Sequence, residues 1–276
     1  MFVYGEWDKF CLEISSKYNC IRVDEIPSQP LNRAWISIKH DIETNVKKAL
    51  KIAKIENKYN IRATYFVQSY LLFDNIKLLK SISDMGHEVS YHYDVLDSNE
   101  GNMTAAIEEF SDTVSRFRKY GFEVNTVCPH GNPLMQRDGW SSNKDFFRNK
   151  DVVKLYPDIF DIVVQTEGVV KSQFAYISDA GYGWKLIGNI DGNDIVNNGD
   201  IEIGNIGNML ELVGLHSKVI ISSHPHRWSK SYSSALLHLM TFKTIRFIAK
   251  SLERISFVKK IMSKFYKKYP KKTTIF

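Results

Sequence analysis

Residue types that bind metals or transfer protons follow five short apolar runs of the chain. The runs and the polar residues after them are residues 34–39 before Asp41 and Glu43, 88–91 before His92 and Asp94, 125–128 before His130, 174–178 before Asp179, and 218–223 before His224. Carboxylates and imidazoles are common zinc ligands and common general acids and bases. Because the carboxyl ends of parallel strands meet at one edge of a sheet, the pattern predicts one convergent site.

Two pairs within this set have the same spacing. Asp41 and Glu43 are two residues apart at a strand end, and so are His92 and Asp94. Either pair alone is explained as well by loop carboxylates that cap the next helix. Together with His130 and the histidine after the last strand, they favour a hydrolytic metal site with a position left for water.

The elements that must position these residues alternate along the chain. Strand patterns occupy residues 34–39 and 62–68, and helical periodicity covers residues 7–18, 44–59, 74–85 and 103–120. Residues 181–208 are rich in Gly and Asn and predict turns or short hairpins. The β-α-β-α order predicts an α/β fold, and the periodicity leaves open whether the sheet closes into a barrel.

The 276 residues divide by pattern into three parts. These are an N-terminal segment (1–33), a catalytic domain (34–240) and a basic helical tail (241–276). The chain carries a net charge of +6; the tail holds eleven Lys or Arg against one acid, a charge of +10, which leaves −4 for the rest. No run of about 18 apolar residues is present, so no membrane span is predicted, and the first residues lack a signal-peptide pattern.

Apolar residues recur every three or four positions between the basic residues of the tail. One explanation is a helix that closes the barrel and keeps its lysines in water. The other is an amphipathic helix in the plane of an anionic membrane, which we expect for the distal half. We therefore expect a cytoplasmic protein with peripheral contact to the inner membrane face, and no nucleic-acid partner, because no recognition motif accompanies the charge.

Five motifs together resemble the polysaccharide deacetylase superfamily, the NodB-like carbohydrate esterases. They are KHDIE (39–43), GHEVSYHYD (86–94), CPHGNPL (128–134), YISDAGYGW (176–184) and SHPHRW (223–228). The resemblance covers residues 34–230 and is strongest to the branch found with surface-polysaccharide biosynthesis. It implies a distorted parallel (β/α) barrel and a metal-dependent hydrolase, with zinc as the expected ion. The implied reaction removes an N-acyl group, expected to be acetyl, from a sugar used in O-antigen or capsule biosynthesis, with a nucleotide or lipid as the carrier.

The resemblance also implies roles for individual residues. Asp41 matches the catalytic base and Glu43 a metal ligand, although these two roles could be exchanged. His92 matches the first ligand histidine, His224 the general acid, and Asp179 the acid that orients it.

Two departures from the family pattern affect the metal site and the base. The second ligand histidine would fall at Leu96, so Asp94, Asp97 or His130 is expected to replace it. The arginine that supports the base would fall near Val127 and is missing.

Substrate contacts are expected from residues beside these motifs. Backbone N–H groups at Gly131 or Asn132 would stabilise an oxyanion, and aromatic rings would pack on a sugar face. The expected substrate-binding residues are Tyr93, Gly131, Asn132, Trp184, Arg227 and Trp228. Ordinary core packing is an equal explanation for the aromatic members.

Two other functions stay open at this stage. Leu96 and the missing arginine would suit a non-catalytic sugar-binding relative that has lost the metal. A deformylase on the same scaffold would use the same groups. Metal content separates the first alternative from a deacetylase, and the acid released, formate or acetate, separates the second.

Overall fold

One ten-stranded sheet forms the centre of the computed structural model, which describes residues 1–132, 135–190 and 199–252, with side chains through residue 244. In chain order the strands are β1 (Cys20–Ile21), β2 (Trp35–Ile42), β3 (Thr64–Val67), β4 (Glu88–Tyr93), β5 (Thr126–Pro129), β6 (Phe160–Asp161), β7 (Ala175–Ser178), β8 (Lys185–Leu186), β9 (Ile201–Glu202) and β10 (Lys218–Ser223). Their spatial order is β6-β5-β4-β3-β2-β10-β7-β8-β9, with β1 also beside β2. All pairings are parallel except β7–β8 and β8–β9.

Helices connect most of the strands. In chain order they are α1 (Tyr4–Ser15), α2 (Val46–Lys58), α3 (Leu72–Ser83), α4 (Val95–Ser98), α5 (Met103–Lys119), α6 (Asp145–Arg148), α7 (Lys150–Leu155), α8 (Thr166–Val170), α9 (Ile206–Leu215) and α10 (Tyr232–Leu252). The side chains of Asn45 and Asn102 cap α2 and α5 by accepting a backbone N–H. None of the helices within the described ranges is long and apolar enough to cross a membrane.

The sheet is strongly curved. The Lys39 ammonium on β2 lies 3.2 Å from the Cys128 sulfur on β5, although two strands separate β2 from β5. In a flat sheet, three strand spacings would place these backbones about 14 Å apart. Trp35, Phe66 and Ile220 pack with Cys128 in the interior that the curvature encloses. The predicted α/β fold with a distorted parallel barrel is therefore confirmed.

Residues on the two sides of the predicted boundary at 33/34 pack in one core. Trp7, Phe10 and Ile14 of α1 are fully buried in the main core, and Val3 pairs with Ser229 next to α10. The N-terminal segment 1–33 is thus part of the same core. At the other end, α10 runs through residue 240 without a break. Residues 253–276 of the predicted tail lie outside the described residues.

A buried polar network fixes β2 against the helices outside it. Glu56 on α2 accepts hydrogen bonds from Trp7 Nε1 (3.1 Å) and the Tyr65 hydroxyl (2.5 Å), and its Oε1 lies 2.7 Å from His40 Nε2. The network ties α1, α2, β2 and β3 together. Because His40 and Asp41 are adjacent, their side chains point to opposite faces of β2, so this network lies directly behind the site.

Candidate active site

Side chains at the carboxyl ends of β2, β4, β5 and β10 meet around one carboxylate. Glu43 Oε1 lies 3.4 Å from His130 Nε2, 3.6 Å from His224 Nε2 and 3.9 Å from His92 Nε2. Asp41 Oδ2 is 4.0 Å from the same His224 nitrogen. The carboxyl ends of four strands, with β7 beside them, therefore bring the predicted groups into one cleft.

Three of these residues form a group that suits a metal ion. One ligand atom each from Glu43, His92 and His130 lie within 4.8 Å of one another. His92 Nδ1 donates to the Cys128 carbonyl at 2.9 Å, which leaves the lone pair on Nε2 facing the group. That nitrogen is buried and has no hydrogen-bond partner within the described part of the chain. Two imidazoles and one carboxylate form a ligand set that suits a zinc-like ion. The Cys128 carbonyl fixes the tautomer of His92, which leaves the Nε2 atom of that ring available to bind the ion.

A second group that could hold a metal, Asp41 with His92 and Cys128, already contains a cation. The Lys39 ammonium lies 2.6 and 2.8 Å from the two Asp41 oxygens and 3.2 Å from the Cys128 sulfur. Burial raises the pKa of the Cys128 thiol well above its usual value, so this sulfur stays protonated. The ammonium and the thiol make this group unsuitable for a metal, and Asp41 is left as a carboxylate beside the site.

The Glu43 carboxylate and the histidines around it favour each other's charged forms. Burial alone would raise the pKa of Glu43, but His224, His130 and His92 outweigh burial and hold that pKa well below its usual value. Burial opposes a charge on His130 as well, yet the Glu43 carboxylate raises the pKa of His130 to about 9. Glu43 is therefore ionised, as a ligand must be.

His224 is held by an acid on the neighbouring strand. Its Nδ1 lies 2.6 Å from Asp179 Oδ1, and its backbone N–H donates to Asp179 Oδ2 at 2.8 Å. Arg227 also donates to Asp179. Burial would raise the pKa of Asp179, but Arg227 and His224 lower it far below its usual value. The permanent carboxylate orients the imidazole so that Nε2 faces Glu43 and Asp41.

No protein-family model matches this chain, and no curated protein matches it either. Solved structures do. One is a family 4 carbohydrate esterase pseudoenzyme from Bacillus anthracis, with 15% identity over 78% of this chain and 62% of that chain and a TM-score of 0.44. A family 4 carbohydrate esterase from Streptomyces lividans in complex with acetate has 14% identity over 77% and 89%, with a TM-score of 0.43. An esterase of the same family from Streptococcus mutans has 13% identity over 87% and 90%, with a TM-score of 0.45.

These structures belong to the family that the motifs resemble. This chain spans less than two thirds of the length of the Bacillus anthracis protein. The structural similarities are distant, with TM-scores below 0.5.

Two acids that were expected near the metal have other surroundings. Asp94 belongs to neither group of metal-compatible atoms among the described residues, and burial raises its pKa. Asp97 accepts two hydrogen bonds from Arg137 at 2.8 Å, and others from Trp140 and Asn143. Asp94 therefore lies outside the group of ligand atoms, and His130 is the residue that clusters with Glu43 and His92; its role as the second histidine ligand stays a prediction.

The three aromatic residues expected to contact a sugar belong to the core. Tyr93, Trp184 and Trp228 are at most 1% exposed. The Tyr93 hydroxyl donates to Asp161 Oδ2 at 2.7 Å, and Trp228 Nε1 donates to Ser223 Oγ at 2.8 Å. Rings this deeply packed present no open face on which a sugar could stack, so the expected stacking contact is wrong for all three.

The other expected substrate contacts differ in position. Gly131 is exposed and Asn132 is partly exposed beside His130, and their role as oxyanion donors stays a prediction. Arg227 is directed at Asp179 and lies over the Tyr182 ring, 5.2 Å from its centre. It is a partner of the His224–Asp179 pair instead of a free contact for substrate.

Sequence reasoning missed two residues of the site. Lys39 supplies the cation beside Asp41 that the missing arginine would have supplied, and its position two residues earlier on the same strand face was the available signal. His226 Nδ1 lies 3.8 Å from Glu43 Oε2 and has no hydrogen-bond partner within the described ranges. Burial lowers the pKa of His226 to about 4, so it faces Glu43 as a neutral imidazole.

Proposed function

We propose that this protein is a metal-dependent hydrolase of the polysaccharide deacetylase superfamily that removes an N-acyl group, acetyl in the first instance, from a sugar. One observation carries the proposal. The ligand atoms of Glu43, His92 and His130 cluster within 4.8 Å, and His224 Nε2, oriented by Asp179, lies 3.6 Å from Glu43 Oε1. A ligand group beside an oriented histidine–carboxylate pair is what amide hydrolysis requires.

The chain's own residues divide the proton transfers between them. A divalent ion, with zinc as our first choice, would lower the pKa of its bound water to near 7 and polarise the acyl carbonyl when held by Glu43, His92 and His130. Asp41, kept ionised by Lys39, accepts the proton of the attacking water. His224 Nε2 donates a proton to the nitrogen of the leaving amine, and Asp179 stabilises the imidazolium.

The biological setting is part of the same proposal. We place the reaction in surface-polysaccharide biosynthesis, at the cytoplasmic side of the membrane, with a nucleotide- or lipid-linked sugar as substrate. The basic residues after α10 favour peripheral contact with anionic lipid.

Release of acid from N-acylated amino sugars tests the proposal. The purified full chain, loaded in turn with Zn²⁺, Co²⁺ or Mn²⁺, should release acetate, and a formyl substrate tests the deformylase alternative directly. Glu43→Gln should lose both metal and activity, whereas Glu211→Gln on the exposed face of α9 should keep both. If the protein binds no metal and releases no acid, the sugar-binding alternative replaces the hydrolase.

A further inference from the structure

A second cleft lies beside the candidate active site, between the beginnings of α2 and α10. Its volume is about 510 Å³. Tyr4 and Trp228 line it from the core, and four lysines surround it: Lys47, Lys48, Lys51 and Lys230. Neither the metal group nor the His224–Asp179 pair uses any of these lysines.

The positive charge in this cleft is not neutralised by the described residues. No Asp or Glu lines the cleft, and none of the four lysines makes an ion pair with a described residue. Lys48 Nζ donates to the His226 carbonyl at 2.7 Å, and Lys51 Nζ lies 4.1 Å from the centre of the Tyr4 ring. Both partners are neutral. Four like charges around one concave surface repel one another, and an anion in the cleft would relieve the repulsion.

Backbone donors point to the same kind of ligand. The 13-residue α2 begins directly after Asn45, and the 21-residue α10 begins directly after Ser231; both of these residues line the cleft. The Asn45 and Ser231 side chains accept one N–H each, from Lys48 and Ser234. The other N–H groups of the first turn have no partner within the helix, and they carry partial positive charge. Two helix N-termini and four ammonium groups suit a phosphate or pyrophosphate, which offers several anionic oxygens at once.

One residue, His226, connects the wall of the cleft to the candidate active site. The carbonyl of His226 accepts from Lys48 in the cleft, while the ring of His226 faces Glu43 at 3.8 Å. A sugar with its acyl group at Glu43 could therefore extend a phosphate toward the lysines.

We propose that this cleft binds the phosphate groups of the carrier to which the acylated sugar is attached. The inference rests on the proposed function for the identity of the sugar, but binding of phosphate to the cleft is measurable without catalysis. The substrate class it assigns is a sugar carried on a phosphate ester or pyrophosphate.

Phosphate binding to charge-removal variants tests the proposal. Inorganic pyrophosphate would be titrated calorimetrically into the full chain after chelation, so that metal coordination does not contribute. Lys47→Gln with Lys230→Gln removes two exposed charges from the cleft and leaves the contacts of Lys48 and Lys51 in place. The affinity should fall about tenfold or more, because hydrogen bonds between charged groups are the strong ones. Added NaCl should weaken binding to the unmodified chain.

The matched control is Lys54→Gln with Lys243→Gln, which removes two charges from the same two helices outside the cleft. Its affinity should change less than about twofold, as expected for screened surface charges. Equal affinities for the unmodified chain and the cleft variant would overturn the proposal. So would an equal loss in both double variants, which would make the effect one of net charge.

Two further arms identify the source of the phosphate. A nucleoside diphosphate that competes with pyrophosphate indicates a nucleotide carrier. A soluble short-chain alkyl diphosphate that competes more strongly than the nucleoside diphosphate, and only in the unmodified chain, indicates a lipid carrier. Acyl release from an N-acylated amino sugar that carries no phosphate should be the same in the metal-loaded cleft variant as in the unmodified enzyme. If no sugar is hydrolysed while the cleft still binds phosphate, the proposed function fails and the phosphate site remains.

Discussion

Replacement of Lys39 by Met should uncouple Asp41 from the cation that keeps it ionised. The ammonium and carboxylate are both buried, with N–O distances of 2.6 and 2.8 Å. At 2.7 Å and an effective dielectric constant of about 20, two unit charges attract by about 6 kcal/mol before desolvation is subtracted. Removal of one partner from a buried pair typically costs about 3–5 kcal/mol of folding free energy, and we expect that loss for Lys39→Met.

The pH dependence of this loss has a definite sign. Burial raises the pKa of Asp41, but Lys39 and the nearby histidines outweigh burial, so the folded-state pKa lies below its usual value. The stabilisation is present above the unfolded-state pKa, about 3.9, and is lost as the pH falls through the folded-state pKa. In Lys39→Met the carboxyl is buried without its cation and its pKa rises. The deficit relative to the unmodified protein should therefore be largest near neutral pH and shrink in acid.

Urea unfolding with chelator present measures the effect without a contribution from metal binding. A double-mutant cycle with Asp41→Asn isolates the pair, and we expect a coupling energy of at least about 2 kcal/mol. A deficit below about 1 kcal/mol for Lys39→Met, or additive single effects, would refute the view that this lysine replaces the missing arginine.

Three further outcomes are expected. His224→Ala should lower turnover by about 10²–10⁴ while metal is retained, and Asp179→Asn should lower it less; equal metal loss in both variants would make His224 a ligand. Burial and Asp24 raise the pKa of Glu88 from 4.5 to about 7. Because the folded-state pKa is raised, the unmodified protein loses stability as the pH rises through this interval. In urea unfolding, the free energy of unfolding of Glu88→Gln minus that of the unmodified protein should therefore increase by up to about 3 kcal/mol between pH 4.5 and 8. A difference that stays constant with pH would contradict this. Deletion of residues 253–276, which removes eight basic residues and one acid, should abolish sedimentation with anionic vesicles at low salt; undiminished sedimentation would contradict it.

The strand ends were predictable because their signal is local. β10 occupies the predicted residues 218–223, and the apolar run before His224 has no competing helical period. Parallel pairing then brings strand ends to one edge whatever the long-range order of the strands. For this reason the meeting of Glu43 with His92 and His224 could be anticipated without knowledge of the sheet topology.

The surroundings of the site could not be predicted in the same way. Lys39 alternates with apolar residues as a water-facing side chain would, but both faces of β2 are buried because the sheet curves around one of them. Trp228 follows a polar turn, which gives no sign of whether its ring faces the cleft or the core. Its ring contacts Trp7, more than two hundred residues away in sequence, and only tertiary packing decides that position.

The central place of β10 in the sheet has a consequence for how the protein is made. β10 pairs on one side with β2 and on the other with β7, yet of the strands in the described residues it is the last to leave the ribosome. Until residue 223 has emerged, the nascent chain holds two partial sheets whose facing edges have unpaired N–H and C=O groups. Such edges are open to intermolecular pairing. His224 directly follows the same strand. The insertion of β10 between β2 and β7 therefore joins the two partial sheets and also completes the His224–Asp179 pair. A chain that stalls before this step has neither a continuous sheet nor the candidate acid.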